Sequence, residues 1–288
     1  MNLGKGRILL PAGPVERGWT SRLVSGRWLT IPLSIAVGIL LWQALVQWSG
    51  LPAFILPAPA AVWARFVASL QDGTLVHHTL VTLSEVISGL LAGTFFALLI
   101  GYALSKVGWL ERFLSPYLVA SQAIPMVAIA PLLVIWLGPG MGAKVLICTL
   151  TVFFPMLINT LVGLRSVPDG LRDLMRTMNS TPWQMLRDLE APASLPVLFA
   201  GLRIGATLSV IGAVVGELVG TNQGLGFLIN VGRSQYDTAM VFVAVFALIV
   251  MALALYGSVL LVERKLLAWQ RLPQAEAWGQ DEAKELPS

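Results

Sequence analysis

The sequence predicts an all-α polytopic membrane protein with about six transmembrane helices. Of its 288 residues, 56% are hydrophobic and only 12% are charged, whereas soluble domains carry about 25% charged residues. The mean hydropathy is +0.78. Several apolar runs are also long enough to cross a bilayer, which takes roughly 20 residues because each helical residue advances about 1.5 Å. Most of the chain is therefore expected to be embedded in lipid.

Six apolar runs define the expected transmembrane domain, residues 29–262. We place the spans at about 29–49, 84–105, 114–136, 144–164, 198–220 and 239–262. The first run continues to about Trp48, which is longer than the apolar core of a secretory signal, so we interpret it as an uncleaved span. The second has no charged residue from Val86 to Ser105.

The third span is interrupted by prolines. The charge-free run between Arg112 and Lys144 contains Pro116, Pro125, Pro131 and Pro139. Because each proline frees backbone groups that neighbouring helices must satisfy, we expect this span to lie in the packed interior of the bundle.

Basic residues indicate the orientation, because cytoplasmic segments carry the excess of Lys and Arg. With both termini cytoplasmic, only Arg65, Lys144 and Arg233 of the 19 basic residues fall on the far side, which leaves 16 inside. The cytoplasmic segments are then two tails and one long loop: residues 1–28, 263–288 and 165–197. The chain is expected to be a multi-pass protein of the plasma membrane, which is the inner membrane of a bacterium.

Composition excludes several kinds of site. No basic stripe with interleaved aromatic residues suggests a nucleic-acid partner. The single cysteine, Cys148, excludes a disulfide framework and a multi-cysteine metal site, and we expect it to be a packing residue. The adjacent His77 and His78 lack a third ligand and are expected to be solvated. We predict no catalytic residue, no metal and no cofactor.

The loop 165–197 changes from a span to short amphipathic helices. Its first helix carries charged residues on one face, namely Arg172, Asp173 and Arg176. Apolar residues repeat on the other face at i, i+3, i+4 and i+7, as in an amphipathic helix: Leu171, Leu174, Met175 and Met178.

A turn and a second helix are expected to follow. Asn179 can end the first helix because it readily adopts the left-handed conformation. Thr181 can cap the next helix, and Pro182 suits its first turn. That helix runs through Trp183, Leu186 and Leu189 and is expected to end before Pro192. An alternative interpretation is that the loop is merely a long interfacial linker.

These residues resemble the cytoplasmic coupling element of the permeases of type I ATP-binding-cassette importers. That element reads E-A-A-x3-G-x9-I-x-L-P. Its seven defined positions are occupied in this sequence, in order, by Asp173, Leu174, Met175, Asn179, Leu189, Ala191 and Pro192. Only the proline is identical, but the acid, the turn residue and the spacing are kept. The resemblance implies that the segment from Arg172 to Leu189 docks on an ATPase subunit.

The resemblance extends over about residues 50–262. The nitrate, sulfonate and taurine branch of the family is similar at Leu56–Pro59, Thr82–Gly89, Ser121–Gly138, and Glu217 with Gly224–Gly226. Within that branch, Gln122, the run 128–131 and the segment 171–175 are most similar to permeases for riboflavin or the hydroxymethylpyrimidine precursor of thiamine. Import of sulfonate, taurine or nitrate stays open as an alternative.

The resemblance also implies partners. None of the five lysines is followed by Ser or Thr, so the phosphate-binding loop G-x-x-x-x-G-K-[ST] is missing, and the chain is not expected to be an enzyme. ATP hydrolysis would fall to a dimer of separate cytoplasmic ATP-binding subunits, and an extracytoplasmic binding protein would deliver substrate. One coupling loop per chain implies two permeases. A homodimer is the simplest arrangement, and a second, different permease is the alternative.

A few residues within the spans are candidates for the translocation pathway. Gln122 and Pro125 lie in the proline-rich span, and Glu217 is an acid within the fifth span, where charge costs roughly 2.5 to 3.5 kcal/mol. Glu217 could equally be a hydrogen-bonded structural acid. Glu85 is expected at the membrane interface, and Arg203 is expected to extend towards the cytoplasm. Because Glu85 and Glu217 are acids in or near spans, an ion-coupled secondary transporter is a second hypothesis for the function of the protein.

Glycines of the fifth span have the spacing of a helix-packing face. They occur at i, i+4 intervals and would allow close approach of another helix, either within the chain or in a dimer: Gly201, Gly205, Gly212, Gly216 and Gly220.

Overall fold

The computed structural model describes residues 27–268. The expected N-terminal tail falls almost wholly outside the described residues, as does most of the expected C-terminal tail. The described residues divide into two compact units at the boundary between Ala60 and Ala61. In the first, the apolar helix α1 covers Arg27–Ser49 and corresponds to the first expected span. Within residues 27–268 the regular elements are all helices, as the sequence predicts.

Three long helices form the core of the second unit. They follow a short amphipathic helix, α2 (Pro59–Gln71), and are α3 (Thr74–Lys106), α6 (Met141–Arg165) and α9 (Ala191–Leu218). Buried apolar side chains from all three meet in one cluster that includes Ala97, Val152, Met156, Leu157 and Ala206. The expected second span therefore begins ten residues earlier than predicted, at Thr74.

Glycines explain how closely these three helices approach one another. A Cβ added at Gly89 of α3 would lie 2.1 Å from Cys148 Cβ, and one at Gly212 of α9 would lie 3.0 Å from Cys148 Cα. Small residues let backbones approach in this way, and Cys148 is buried between them as a packing residue. The glycines of α9 thus pack within the chain, whereas Gly220 lies beyond the end of α9 and has open space around it.

The third span is a broken pair of helices. Helix α4 (Gly108–Ser121) and helix α5 (Met126–Leu137) meet at 95°. The break falls before Pro125 because a proline disfavours the helical conformation of the preceding residue, Ile124. The expectation of one span packed in the interior was wrong for the single chain, since many side chains here are exposed: Phe113, Tyr117, Val119, Val127 and Ile135.

Two further helices complete the described chain. Helix α10 (Leu225–Ser234) is short, and α11 (Thr238–Leu266) is the last expected span. Arg65 of α2 pairs with Asp237 at the start of α11 over 2.8 Å. Arg203 does not extend alone towards the cytoplasm, because it pairs with Glu263 of α11 over 3.3 Å. In the described part of the chain, five helices are long and apolar enough to span a membrane, and the α4–α5 pair makes a sixth.

Candidate functional site

The loop 165–197 contains the turn that the sequence predicts. Helix α7 covers Asp169–Thr177, and Asn179 adopts φ = 55°, in the left-handed region. Its N–H donates to Arg176 O over 2.9 Å, and Ser180 N–H donates to Met175 O over 3.1 Å. These bonds satisfy the last carbonyls of α7, so the predicted role of Asn179 as the turn residue is confirmed.

A capping box begins the next helix. Helix α8 (Pro182–Gln184) has Pro182 at its first position and Thr181 as its N-cap. Gln184 N–H donates to Thr181 Oγ1 over 3.3 Å, while Thr181 N–H donates to Gln184 Oε1 over 2.8 Å. The cap at Thr181 is confirmed. Sequence reasoning missed Gln184, although the spacing T-x-x-Q is a capping-box pattern.

The second loop helix does not end before Pro192, contrary to the prediction. After α8 the chain forms a π-helix over Met185–Glu190 and continues directly into α9. Ala191 N–H donates to Leu186 O, five residues back. Proline lacks an N–H and its ring clashes with the carbonyl four residues back, so a wider π-turn just before Pro192 lets the helix continue. The loop is therefore rigidly joined to the fifth span.

Glu190 ties the loop to the ends of two core helices. This carboxylate is only 4% exposed, and Lys106 Nζ at the end of α3 lies 2.8 Å from both of its oxygens. Arg172 Nε of α7 lies 3.8 Å from Glu190 Oε1, and Arg172 Nη2 donates to Leu164 O of α6 over 2.6 Å. No local sequence pattern marks Glu190, because Lys106 is 84 residues away in the chain.

The charged face of α7 is only partly turned to the protein. Arg172 is half-buried, whereas Asp173 is exposed and pairs with Arg176 over 3.0 Å. The apolar positions leave a surface patch, which we call the docking patch: Leu171, Leu174, Met178 and Trp183, between 45% and 70% exposed. Met175, Leu189 and Pro192 are half-buried. Exposed apolar patches of this kind mark interaction surfaces.

A second group of polar residues is buried where α3, α6 and α9 meet, near the start of α6 and the end of α9. We call it the Glu217 cluster: His78, Thr82, Glu85, Lys144 and Glu217, all at most 9% exposed. Lys144 Nζ donates to Glu85 Oε1 over 2.6 Å, and Thr82 Oγ1 donates to Glu217 Oε1 over 2.6 Å. Two expectations were therefore wrong: Glu85 is buried and not interfacial, and His78 is not solvated. The expected position of Lys144 on the far side of the membrane stays a prediction.

The Glu217 cluster holds the segment that follows α9. Gly226 N–H donates to Glu217 Oε2 over 2.6 Å, and Gly224 N–H donates to His78 Nδ1 over 2.9 Å. Both oxygens of the buried Glu217 carboxylate thus accept a hydrogen bond, which agrees with its interpretation as a structural acid. Its place in a translocation pathway stays a prediction.

Two cavities border these elements. One, of about 360 Å³, is lined by Glu85 and Lys144 together with Asn222 and Gln223 of the α9–α10 segment. The other, of about 310 Å³, lies at the bend between α4 and α5. We call it the elbow cavity, and its lining includes Gln122, Met126, Thr151, Phe154 and Pro155. Gln122 lies in this lining, and Pro125 directly precedes α5.

No three His, Cys, Asp or Glu residues within 27–268 are grouped to hold a metal ion.

Comparison with known proteins identifies the class. Residues 89–268 match the family described as binding-protein-dependent transport system inner membrane component. The chain belongs to this family. It is 47% identical to the riboflavin transport system permease protein RibX of Chloroflexus aurantiacus, over 84% of this chain and 90% of that protein. It is 33% identical to the formylaminopyrimidine transport permease protein ThiX of Halalkalibacterium halodurans, over 81% and 92%.

Other relatives in the family carry different names. They include a putative aliphatic sulfonates permease, SsuC of Bacillus subtilis, at 30% identity over 84% of this chain and 88% of that protein. The fold itself matches a chain of the MetNI methionine ABC transporter in inward facing conformations, with a TM-score of 0.58, 21% identity, and coverage of 67% of this chain and 95% of that one.

Family membership confirms the class that the coupling element suggested. The chain is a membrane-embedded permease subunit of an ATP-binding-cassette importer. Subunits of this class work with a separate ATPase and a substrate-binding protein, which favours the importer over the ion-coupled secondary transporter.

Proposed function

We propose that this permease moves riboflavin, or a pyrimidine precursor of thiamine, across the plasma membrane when an ATPase dimer acts on its 165–197 loop. The observation that supports coupling to the ATPase is the docking patch on α7 and α8. It is an exposed apolar surface beside a turn that ends in a capping box. The resemblance of Asp173, Leu174, Met175 and Asn179 to the family's coupling element supports the same segment. An ATPase groove would bury this patch.

The loop is built to transmit a displacement. A partner that pulls on α7 also pulls on Arg172, which contacts the end of α6 and Glu190 of the π-helix. Glu190 in turn holds Lys106 of α3, and the π-helix runs without interruption into α9. Movement of a rigid lever of this kind can bias the packing of the core helices between two arrangements.

The proposed orientation puts the loop and both termini in the cytoplasm. The ends of α3 and α6 carry Lys106 and Arg165, which pair with Glu190 and Glu111 at the same end of the bundle as the loop. This concentration of basic groups supports a cytoplasmic location by the positive-inside rule. The extracytoplasmic binding protein would then meet the opposite end.

A homodimer is the simplest assembly for this permease. Two ATPase subunits need two coupling loops, and each chain supplies one. The exposed side chains of α4 and α5 leave apolar surface that lipid or a second permease would cover. A heterodimer with a different permease is the alternative, and purification of the complex distinguishes the two by its subunit composition.

The docking proposal is tested by copurification. The chain would be expressed with candidate ATPase subunits, and Leu174→Glu and Trp183→Glu would each introduce a charge into the docking patch. Both variants should lose the ATPase and ATP-driven uptake while the chain still inserts and purifies, since these side chains are exposed. Gln71→Glu, which adds the same charge at the exposed end of α2, is the control. Unchanged copurification and uptake in both patch variants would refute docking at this surface.

The substrate is tested separately by uptake into cells or vesicles. Labelled riboflavin, hydroxymethylpyrimidine, taurine, an aliphatic sulfonate and nitrate would be offered to the complete transporter, with ATP present and ion gradients collapsed by ionophores. We expect uptake of the flavin or the pyrimidine. Uptake of taurine or a sulfonate alone would favour the alternative within the family, and uptake that stops with the ion gradients would indicate an ion-coupled transporter.

A further inference from the structure

We infer that the elbow cavity is a binding site for an uncharged, flat nitrogen heterocycle, which Gln122, Thr151 and Phe154 contact. This inference rests on the proposed function and deepens it, because it assigns residues and a ligand chemistry to the transported substrate. The site is formed where α4 ends and α5 begins, against the middle of α6 and α9.

The size and position of the cavity suit a small organic ligand. Its volume of about 310 Å³ lies within the range of roughly 300 to 1,000 Å³ that is usual for small-molecule sites. Interrupted membrane helices commonly form such sites because their ends free backbone groups near the middle of the membrane. Here Pro155 of α6, which also lines the cavity, has no N–H to offer the carbonyl of Thr151 four residues earlier.

The polar groups of the lining are uncharged and complementary to a heterocycle. The carboxamide of Gln122 forms no hydrogen bond with any described residue, so both its donors and its acceptor are available. Thr151 Oγ1 donates its hydrogen to Ile147 O over 2.7 Å, which leaves only its acceptor capacity for a ligand. A ligand that fits must therefore present an N–H or amino group to Thr151 and an amide-like edge to Gln122.

Apolar side chains supply the flat part of the site. The Phe154 ring and the Met126 thioether both line the cavity, and Phe154 is held edge-on by Phe153 with ring centroids 5.1 Å apart. Aromatic rings and methionine sulfur pack favourably on planar conjugated ligands. Flavin and aminopyrimidine rings share this shape.

The same lining disfavours anions. None of its described residues carries a charge, and an ion moved out of water without a charged partner is costly. The buried cation Lys144 lines the other cavity and is already paired with Glu85, so it cannot serve an anion in the elbow cavity. A sulfonate or nitrate would thus find no counter-ion in the elbow cavity.

The test measures transport and binding by the complete transporter with riboflavin as the probe. Gln122→Ala, Thr151→Val and Phe154→Leu should each raise the KM for riboflavin by about 3- to 10-fold, as expected for one lost hydrogen bond or ring contact. Equilibrium dialysis of riboflavin against the purified transporter should show the same loss. Thr151→Ser keeps the hydroxyl and should restore the wild-type KM, which a purely structural role for Thr151 would not predict.

Thr207→Val is the matched control, since Thr207 Oγ1 donates to Ile204 O over 2.8 Å in the same way but does not line the cavity. Wild-type KM and riboflavin binding in all three cavity variants would overturn the inference. ATP-driven uptake of sulfonate or taurine without flavin or pyrimidine uptake would overturn it together with the proposed substrate, while leaving the ATPase docking proposal intact. Absence of ATP-driven uptake of any of these compounds would instead count against the proposed function.

Discussion

Lys144 Nζ lies 2.6 Å from Glu85 Oε1 in the interior of the bundle, and their side chains are only 6% and 1% exposed. The two residues come from α6 and α3, so the ion pair joins two core helices. Lys144 Nζ also lies 3.4 Å from Gln223 O, which extends the contact to the segment after α9. Both charges are removed from water, so each depends on the other.

The first prediction concerns this ion pair. Lys144→Met or Glu85→Gln alone should lower the free energy of unfolding by about 3 to 5 kcal/mol, because the remaining group is left buried without its partner. The double variant should be more stable than either single variant, since neither charge is then buried. Thermal unfolding in detergent measures all three. Simple additivity of the two losses would contradict the pairing.

The second prediction concerns the turn that Glu217 holds. Gly224 adopts φ = +109°, and a Cβ there would lie 2.0 Å from Glu217 Oε1. Gly224→Ala should therefore lower the thermal unfolding temperature markedly, through backbone strain and displacement of the carboxylate. Gly142→Ala is the control because its Cβ would meet nothing within 4 Å. Equal stability of the two variants would show that the turn tolerates a side chain.

Local features of the fold could be predicted from the sequence because neighbouring residues determine them. The left-handed turn at Asn179 and the cap at Thr181 depend on a few adjacent positions, and the span count depends on apolar length. The break before Pro125 and the π-helix before Pro192 also have local causes, but a proline alone does not tell whether a helix bends sharply or widens by one residue.

The buried contacts could not be predicted because they depend on helix rotation. Glu85 and Lys144 are 59 residues apart, and Thr82 and Glu217 are 135 apart. Whether an acid within a span faces lipid, a cavity or a lysine depends on the relative rotation of three helices, which no local pattern reports. Glu190 was missed for the same reason, since Lys106 is 84 residues away.

The third prediction concerns pH and the start of α3. The Asp72 carboxylate accepts a hydrogen bond from Thr74 N–H over 2.9 Å. Hydrogen bonds from Thr74 hold the pKa of Asp72 below its ordinary value of 3.8. Because the folded pKa is lowered, the stabilisation is present above the ordinary value and is lost as pH falls through the folded pKa.

Asp72→Asn is the variant that tests this dependence, because an amide oxygen can still accept the bond but does not titrate. The stability advantage of wild type over Asp72→Asn should be constant well above pH 3.8 and should shrink as the pH falls below that value and through the lowered folded pKa. Thermal unfolding across that range measures it. An advantage that stays constant or grows on acidification would contradict the assignment.

The fourth prediction concerns the turn of the docking loop. Asn179 has φ = 55°, which costs a β-branched residue at least about 1 to 2 kcal/mol relative to glycine. Asn179→Gly should preserve ATPase copurification and uptake, whereas Asn179→Val should weaken both by loosening the turn between α7 and α8. A pull-down with washes of increasing detergent concentration measures how much ATPase each variant retains. Similar retention for the valine and glycine variants would show that docking does not need this turn.

The last prediction separates docking from transmission at Glu190. This buried carboxylate bonds Lys106 with both oxygens and lies beside Arg172, so it joins α7 to α3. Glu190→Gln leaves the exposed docking patch unchanged but removes the charge that holds the two cations together. The ATPase should therefore still copurify and hydrolyse ATP, while substrate uptake per ATP falls by about 5-fold or more, the usual range for loss of coupling between sites.

Lys106→Gln should produce the same change, because it removes the other half of the link between α7 and α3. Arg112→Gln, an exposed residue of α4 that forms no ion pair with the described residues, is the charge-matched control and should keep the wild-type ratio. Uptake and ATP hydrolysis measured together on reconstituted transporter give the ratio. If Glu190→Gln loses the ATPase altogether, the carboxylate serves docking and not transmission, whereas a wild-type ratio would mean that α7 transmits force through the π-helix alone.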